Sequence, residues 1–276
     1  MREVNLTRSV TAGEGHPLLV IAGPCSIEGR ELCLKVANQM ARACRELELP
    51  YVFKASFDKA NRTSISSYRG PGLEEGLRIL EEVRRECGVP VLTDIHLPAQ
   101  VKTVADAVDI LQIPAFLCRQ TDLVVSAGAT GLPVHVKKGQ FMAPEDMQHV
   151  AEKIAAQGNS RIMLCERGTF FGYGNLVVDF RGHQIMRSLG YPVIFDATHS
   201  TQRPGGRGEK SGGDRELAPL LARAAVAAGA DGVFLETHPA PEQGLSDPAT
   251  MLPLDSIPGL LQTLKAVAAE ATDRPS

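Results

Sequence analysis

PVIFDATH (192–199) climbs through a short apolar run and stops on His199, a group that can bind a metal or move a proton. The same plan recurs along the chain. LLVIAGPC stops at Cys25, YVFKAS around Lys54, PVLTDIH around Asp94 and DILQIPAF around Gln112. PVHVKKG stops around Lys137, RIMLCER at Arg167 and GVFLETH around Glu236. Between most of these runs lies helical periodicity, as in LCLKVANQMARACREL (32–47) and DRELAPLLARAAVAAG (214–229). Strand and helix alternating in this way over about 250 residues predict a (β/α)8 TIM barrel, whose sites gather at the C-terminal ends of its strands. The reactive residues stand where that fold builds its sites.

A chain of 276 residues is long enough to bury a large core, and one barrel domain is expected over 1–276. Residues 1–16 should form a short N-terminal extension, either a small cap over the bottom of the barrel or an unordered lead, and ATDRPS a frayed tail. The net charge of −3 leaves no global footprint for nucleic acid or an anionic membrane, so any anion must be bound locally. No apolar stretch approaches a membrane span, and MREVNLTRSVTAGEGHP lacks the apolar core of a secretory signal, so a cytoplasmic location is expected. Cys25, Cys33, Cys44, Cys87, Cys118 and Cys165 form no CxxC pair, and all but Cys25 are expected to be reduced core thiols.

Metal-binding donors form one set. Cys25, His199 and Glu236 each close a different run, and Asp247 follows in EQGLSDPAT. A thiolate, an imidazole and two carboxylates suit a divalent ion such as zinc, iron or manganese, with a position left for water or substrate. Each residue alone reads as a packed thiol, a core histidine or a loop carboxylate; their common place on one barrel rim argues for a metal.

Cations form a second set: Lys54 and Lys59 follow the second run, Arg62 comes three residues later, and Lys137 and Arg167 close the fifth and sixth. Lysine is rarely buried without a partner, so VFKAS and VHVKKG point to a substrate with several negative charges. Without substrate, ion pairs with Asp94, Glu166 and Glu236 are expected. Lys138 reads as a solvated or structural neighbour. Asp94 and Gln112 should point into the mouth as supports or substrate contacts, and Phe116 should wall it. His96 can hydrogen-bond substrate or pack, whereas His135 and His183 are expected to pack.

Two segments exceed an ordinary barrel turn, SFDKANRTSISSYRGPG (56–72) and STQRPGGRGEKSGGDR (200–215). The second has five glycines beside Arg203, Arg207, Lys210 and Arg215, which suits a mobile binding loop. GGRGEKS within it is not a nucleotide P-loop, because Glu209 stands where the glycine before the lysine should be.

IAGPCSIE, FKASFDKANRTSISSYRGPG, LTDIH, LQIPAFLCRQTDL, VKKGQFMAP, CERGTFFGYGNLVVDFR, FDATHSTQ and FLETHP together resemble the 3-deoxy-D-manno-octulosonate 8-phosphate synthase family, over residues 17–265. The resemblance implies a (β/α)8 barrel, usually a homotetramer, that condenses phosphoenolpyruvate with D-arabinose 5-phosphate and releases phosphate, for lipopolysaccharide synthesis. The rival within the superfamily is the 3-deoxy-D-arabino-heptulosonate 7-phosphate synthase, which uses erythrose 4-phosphate. Its block typically reads KPRTS where this chain has KANRTS. The metal-independent branch carries asparagine at the position of Cys25, so the cysteine here implies the metal-dependent class, with Cys25, His199, Glu236 and Asp247 as ligands.

On that reading Lys137 and Arg167 take the phosphate of phosphoenolpyruvate, and Lys54, Ser56 and Lys59 its carboxylate or reacting end. Asn61, Arg62 and Thr63 lie in the block expected to bind the sugar phosphate or its hydroxyls, with Arg119 reaching that phosphate from a neighbouring subunit. Lys59, His199 and Asp247 are the candidates for proton transfer. Competing readings are a barrel that binds a metabolite without turnover and a class I aldolase with a Schiff base at Lys54 or Lys137.

Overall fold

Strands buried on both faces need cover inside and outside, and the eight apolar runs meet that demand by closing on themselves. The protein is described by a computed structural model covering residues 3–62, 64–207 and 210–272. The barrel strands are β1 (Leu19–Gly23), β2 (Tyr51–Lys54), β3 (Val91–Asp94), β4 (Ile110–Ile113), β5 (Val134–Lys137), β6 (Ile162–Glu166), β7 (Val193–Asp196) and β8 (Gly232–His238), all buried throughout. Each pairs in parallel with the next, and β8 returns to β1 with Gly232 opposite Leu19 and Glu236 opposite Gly23.

A helix follows every strand: α1 (Arg30–Glu46), α2 (Leu73–Cys87), α3 (Val101–Ala107), α4 (Thr121–Ala129), α5 (Met147–Ala155), α6 (Arg181–Ser188), α7 (Ala218–Ala227) and α8 (Ile257–Thr272). The helical pattern read over 214–229 resolves into a 3₁₀ turn at Arg215–Leu217 and then α7. Pro219 falls in the first turn of α7, where a missing N–H breaks no helical bond.

Alternation along each strand sorts residues between two cores. Val20, Phe53, Leu111, Val136, Leu164, Phe195 and Leu235 face the helices. Leu19, Ile21, Val52, Leu92, Ile110, Met163, Ile194 and Phe234 fill the barrel interior. Val4, Leu6, Val10 and Ala12 join that interior cluster from an antiparallel hairpin, Glu3–Asn5 with Thr11–Gly13. The N-terminal extension is therefore a cap, held by the apolar side chains that alternate along its strands.

Gly23 is required by the sheet itself: a Cβ there would lie 1.9 Å from the carbonyl oxygen of Lys54. The absence of a side chain lets β1 approach β2 beside a buried lysine. Two further antiparallel ribbons leave the C-terminal ends of β6 and β7: Thr169–Phe170 with Leu176–Val177, and Gln202–Arg207 with Lys210–Gly213. Much of the glycine-rich segment is thus paired strand, where the sequence suggested a mobile loop.

His183 packs as expected, between Phe180 and Phe195 with ring centroids 5.8 and 5.6 Å away. Both ring nitrogens are buried without a hydrogen-bond partner among the described residues. Burial brings its pKa from 6.5 down to about 4. The unfolded chain therefore takes the proton first as pH falls, and stability is lost progressively from about 6.5 towards 4. His183→Leu should remove about 3 kcal/mol of that acid-side loss and leave stability near pH 8 little changed. Urea unfolding of both proteins across this range checks it; parallel pH profiles would refute the assignment.

Candidate active site

The same alternation builds the site, because the residue two positions beyond an inward apolar one also points inward. Val52 is followed by Lys54, Leu92 by Asp94, Ile110 by Gln112, Ile194 by Asp196 and Phe234 by Glu236. His135 and Lys137 occupy the equivalent places on β5. At the top of the barrel the apolar filling thus gives way to a polar layer, and burial obliges its members to satisfy one another.

They do so in pairs. Lys54 Nζ donates to Glu236 Oε1 at 2.7 Å and to the Cys25 carbonyl at 3.0 Å, while Lys59 Nζ lies 3.8 Å from the same Glu236 oxygen. Lys137 donates to Asp196, whose Oδ2 also lies 2.7 Å from His199 Nδ1. Ser56 and Gln112 both donate to Asp94, and His135 Nδ1 lies 2.9 Å from Gln112 Oε1.

Burial works against the charge on Glu236, but His199, Lys54, Lys59 and Lys137 hold it well below the usual carboxylate range. Asp196 is held down against burial by His199 and Lys137, and Asp94 by Lys54, Lys59 and His96. His135 is brought down to about 3 by burial and by Lys137, so it is neutral and packs as expected. The expected pairing of buried lysines with carboxylates is present, with Asp196 taking Lys137.

Above this layer, Cys25, Glu236 and Asp247 bring one ligand atom each to within 4.8 Å of one another. His199 Nε2 lies 3.6 Å from Glu236 Oε2 and 3.9 Å from Asp247 Oδ2. His199 Nδ1 faces the Asp196 carboxylate, so Nε2 is the ring nitrogen turned towards the cluster. Glu236 Oε2 is buried without a hydrogen-bond partner among the described residues. Burial, reinforced by Glu236, pushes the Cys25 thiol far above its ordinary value. A sulfur and two carboxylates converging, with a ring nitrogen near both carboxylates and an oxygen unpartnered among the described residues, fit a divalent cation. Asp247 is in the left-handed region at φ 46°, one of two non-glycine residues so placed among those described; its carbonyl accepts from the backbone N–H groups of Thr250 and Met251.

A cavity of about 710 Å³ opens onto these groups, lined by Lys54, Lys59, Asn61, Arg62, Asp94, Gln112, Phe116, Lys137, Arg167, His199 and Asp247. His96 also lines it, with Nδ1 buried and unpartnered among the described residues. Arg62 is pinned by its Nε to the carbonyl of Tyr68 at 2.8 Å, and Arg167 Nη2 donates to Gln202 at 2.6 Å. Each arginine keeps a buried nitrogen without a partner among the described residues, Nη2 of Arg62 and Nη1 of Arg167. Donors left in this state await an acceptor.

Some candidates stand elsewhere. Ser56 is fully buried and does not line the cavity; its hydroxyl is committed to Asp94, so it supports that carboxylate rather than reaching a ligand. Cys25 and Glu236 lie behind the lining. Arg119 is exposed and away from the cavity of its own chain. Thr63 lies outside the described residues. Lys138 is structural and not solvated, bonding the Met142 carbonyl at 3.2 Å and Thr169 Oγ1 at 3.0 Å, with Glu166 at 3.5 Å.

Three participants escape a reading of the sequence. Asp196 carries a signal, an acid ending an apolar strand two residues past Ile194. Gln202 and Ser246 carry none. Gln202 joins Asp247 Oδ2 at 2.9 Å to Arg167, and Ser246 Oγ sits 2.8 Å from Cys25 Sγ.

Residues 2–272 match the DAHP synthetase I family. The chain is 55% identical over 268 residues to the 2-dehydro-3-deoxyphosphooctonate aldolase of Desulfatibacillum aliphaticivorans, covering 97% of this chain and 98% of that one. It is 56% identical over 256 residues to the protein of that name from Acidithiobacillus ferrooxidans (93% and 91% covered). With that of Pelobacter propionicus it shares 56% identity over 260 residues (94% and 96%).

Proposed function

The chain belongs to the DAHP synthetase I family, and from that premise we propose that it condenses phosphoenolpyruvate with D-arabinose 5-phosphate and water, giving 3-deoxy-D-manno-octulosonate 8-phosphate and inorganic phosphate. Family membership alone would also admit the erythrose 4-phosphate reaction. Full-length identity of 55–56% to 2-dehydro-3-deoxyphosphooctonate aldolases favours the arabinose 5-phosphate enzyme. The observation carrying the chemistry is one cavity with two arginines that each keep a buried N–H unpartnered among the described residues, a station for each of two phosphates.

In the reaction C3 of phosphoenolpyruvate bonds to the aldehyde carbon of the sugar, and water adds at C2. Collapse of the resulting hemiketal phosphate then breaks its bond to the phosphate. We assign Arg167 and Lys137 to the enolpyruvate phosphate, the arginine supplying a planar fork and the lysine a point charge. Lys54 has two donor directions committed, to Glu236 and the Cys25 carbonyl, so a third is available with Lys59 for the substrate carboxylate. Asn61 and Arg62, with Thr63, take the sugar phosphate or its hydroxyls. Phe116 supplies an apolar wall, and Asp94 and Gln112 fix the polar floor that Ser56 supports.

Cys25, His199, Glu236 and Asp247 would hold a divalent ion, zinc, iron or manganese, which supplies Lewis acidity and a template for the reacting oxygen. Lys59, His199 and Asp247 are the candidate proton carriers. The Schiff-base alternative is disfavoured because Lys54 and Lys137 are each committed to a carboxylate, whereas that chemistry needs a neutral amine.

Three further proposals concern context. The chain forms one barrel domain and assembles as a homotetramer in which Arg119 serves a neighbour's cavity, which its exposure supports; sedimentation of wild type and Arg119→Ala, with kinetics, tests this. The cytoplasm suits its six free thiols. Among the described residues no helix is long and apolar enough to cross a membrane.

Phosphate release from phosphoenolpyruvate, measured with arabinose 5-phosphate and separately with erythrose 4-phosphate, tests the function. Turnover is expected with the former, lost to a chelator and restored by divalent metal. Preference for erythrose 4-phosphate would overturn the substrate assignment. Arg62→Ala should raise KM for the sugar phosphate by roughly a hundredfold with little change for phosphoenolpyruvate, as loss of a charge-assisted phosphate contact implies. Steady-state kinetics with each substrate varied decides it.

A further inference from the structure

Phe234 stands one inward step below Glu236 on β8 and is fully buried. By its surroundings it is not an ordinary core residue. Lys137 Nζ lies over its ring, 3.4 Å from the centroid, and Lys54 Nζ lies over it at 5.3 Å. His135 runs nearly parallel, 11° off with centroids 6.1 Å apart, and His199 tilts towards it at 5.9 Å.

An ammonium has three N–H donors. One from Lys137 goes to Asp196, and the ring covers another side of the group. What remains faces the cavity that Lys137 lines. The negative face of an aromatic ring attracts a cation, and the attraction is strongest where water is excluded. Lys137 is 5% exposed and Phe234 0%, so the contact is nearly dry. A leucine would fill much of the same space without that field.

We infer that Phe234 is a positioning residue for anion binding, its π face seating the Lys137 ammonium so that a remaining N–H points into the cavity. The inference rests on the assignment of Lys137 to the enolpyruvate phosphate. It concerns the charge distribution of the ring, beyond its packing.

The test changes that distribution while nearly keeping the shape. Phe234 is replaced, by nonsense suppression, with 4-fluoro-, 3,5-difluoro- and 3,4,5-trifluorophenylalanine, and Kd for phosphoenolpyruvate is measured by calorimetry on the full chain. Each fluorine weakens the negative face, so Kd should climb in steps, reaching about tenfold at the trifluoro ring and in Phe234→Leu. In a Lys137→Met background the steps should vanish. If Phe234→Leu proves unstable, the fluorinated series still decides. A Kd constant within about twofold across the series, with the unaltered protein binding phosphoenolpyruvate, overturns the inference and leaves the function standing. Steps that persist without Lys137 also overturn it. Failure of the unaltered protein to bind phosphoenolpyruvate defeats the functional assignment, and this inference with it.

Discussion

Lys54→Met is expected to destabilise the protein by about 3 kcal/mol and to lower kcat/KM for phosphoenolpyruvate roughly a thousandfold. The lysine is 1% exposed and the glutamate it serves 0%. Methionine keeps most of the length and apolar stem but leaves Glu236 Oε1 without its 2.7 Å donor. Removing one member of a buried pair costs more than the pair contributes, because the survivor keeps its desolvation penalty. Lys59, 3.8 Å from the same oxygen, limits the damage and places the loss at the lower end of the range for such breaks.

The proposed metal makes the test sharper. A cation at the Cys25, Glu236 and Asp247 cluster would also neutralise Glu236, so the destabilisation should be larger in chelator than with divalent metal present. Adding Glu236→Gln to Lys54→Met should restore much of the stability and none of the activity, since the uncompensated charge disappears while the site does not return. Guanidinium unfolding of the unaltered protein, Lys54→Met, Glu236→Gln and the double variant, with and without chelator, gives the coupling directly. A single-variant loss below about 1 kcal/mol in both conditions would mean that the pair is not what holds Glu236 in place.

Lys54 also illustrates which parts of the site could be read from the chain. Parallel strands impose a period of two, so an inward apolar residue fixes the direction of the residue two positions on. Val52 and Lys54, Leu92 and Asp94, and Phe234 and Glu236 obey this rule, and their direction into the barrel is therefore local information. The rule also reaches Asp196, two beyond Ile194, although the run was read as ending at His199. In the structure β7 stops at Asp196 and His199 opens a 3₁₀ turn, a boundary that apolar composition does not mark.

Loop-borne partners were not legible, because nothing local sets what a loop meets. Gln202 reaches Asp247, 45 positions away, and Ser246 reaches Cys25 at a separation of 221. Ser56 could be assigned to the right neighbourhood but not to the right duty. It lies two positions past Lys54, above the strand proper, and a hydrogen bond across to β3 turns it from the cavity. Lys138 lies one position past the end of β5 and does not share the partner of Lys137; what absorbs its charge is the loop around Met142 and Thr169, together with Glu166.

Cys25→Asn should weaken divalent metal binding by at least about a hundredfold while changing stability by only about 1 kcal/mol. Cys25 Sγ lies 2.8 Å from Ser246 Oγ and 3.7 Å from Asp247 Oδ2, in a fully buried position. An asparagine amide is larger than the thiol but polar at both ends: its oxygen can accept from Ser246 and its nitrogen donate to Asp247. Glu236 keeps Lys54 and Lys59 beside it, and Asp247 keeps the Gln202 amide donor at 2.9 Å. The variant therefore loses a soft ligand without gaining an uncompensated charge, and part of the turnover should survive and ignore the chelator. Competition against a chromogenic chelator measures the affinity, urea unfolding the stability, and phosphate release with and without chelator the dependence. Metal held as tightly as in the parent, with turnover equally sensitive to chelation, would remove Cys25 from the ligand set and leave His199, Glu236 and Asp247 to account for the ion.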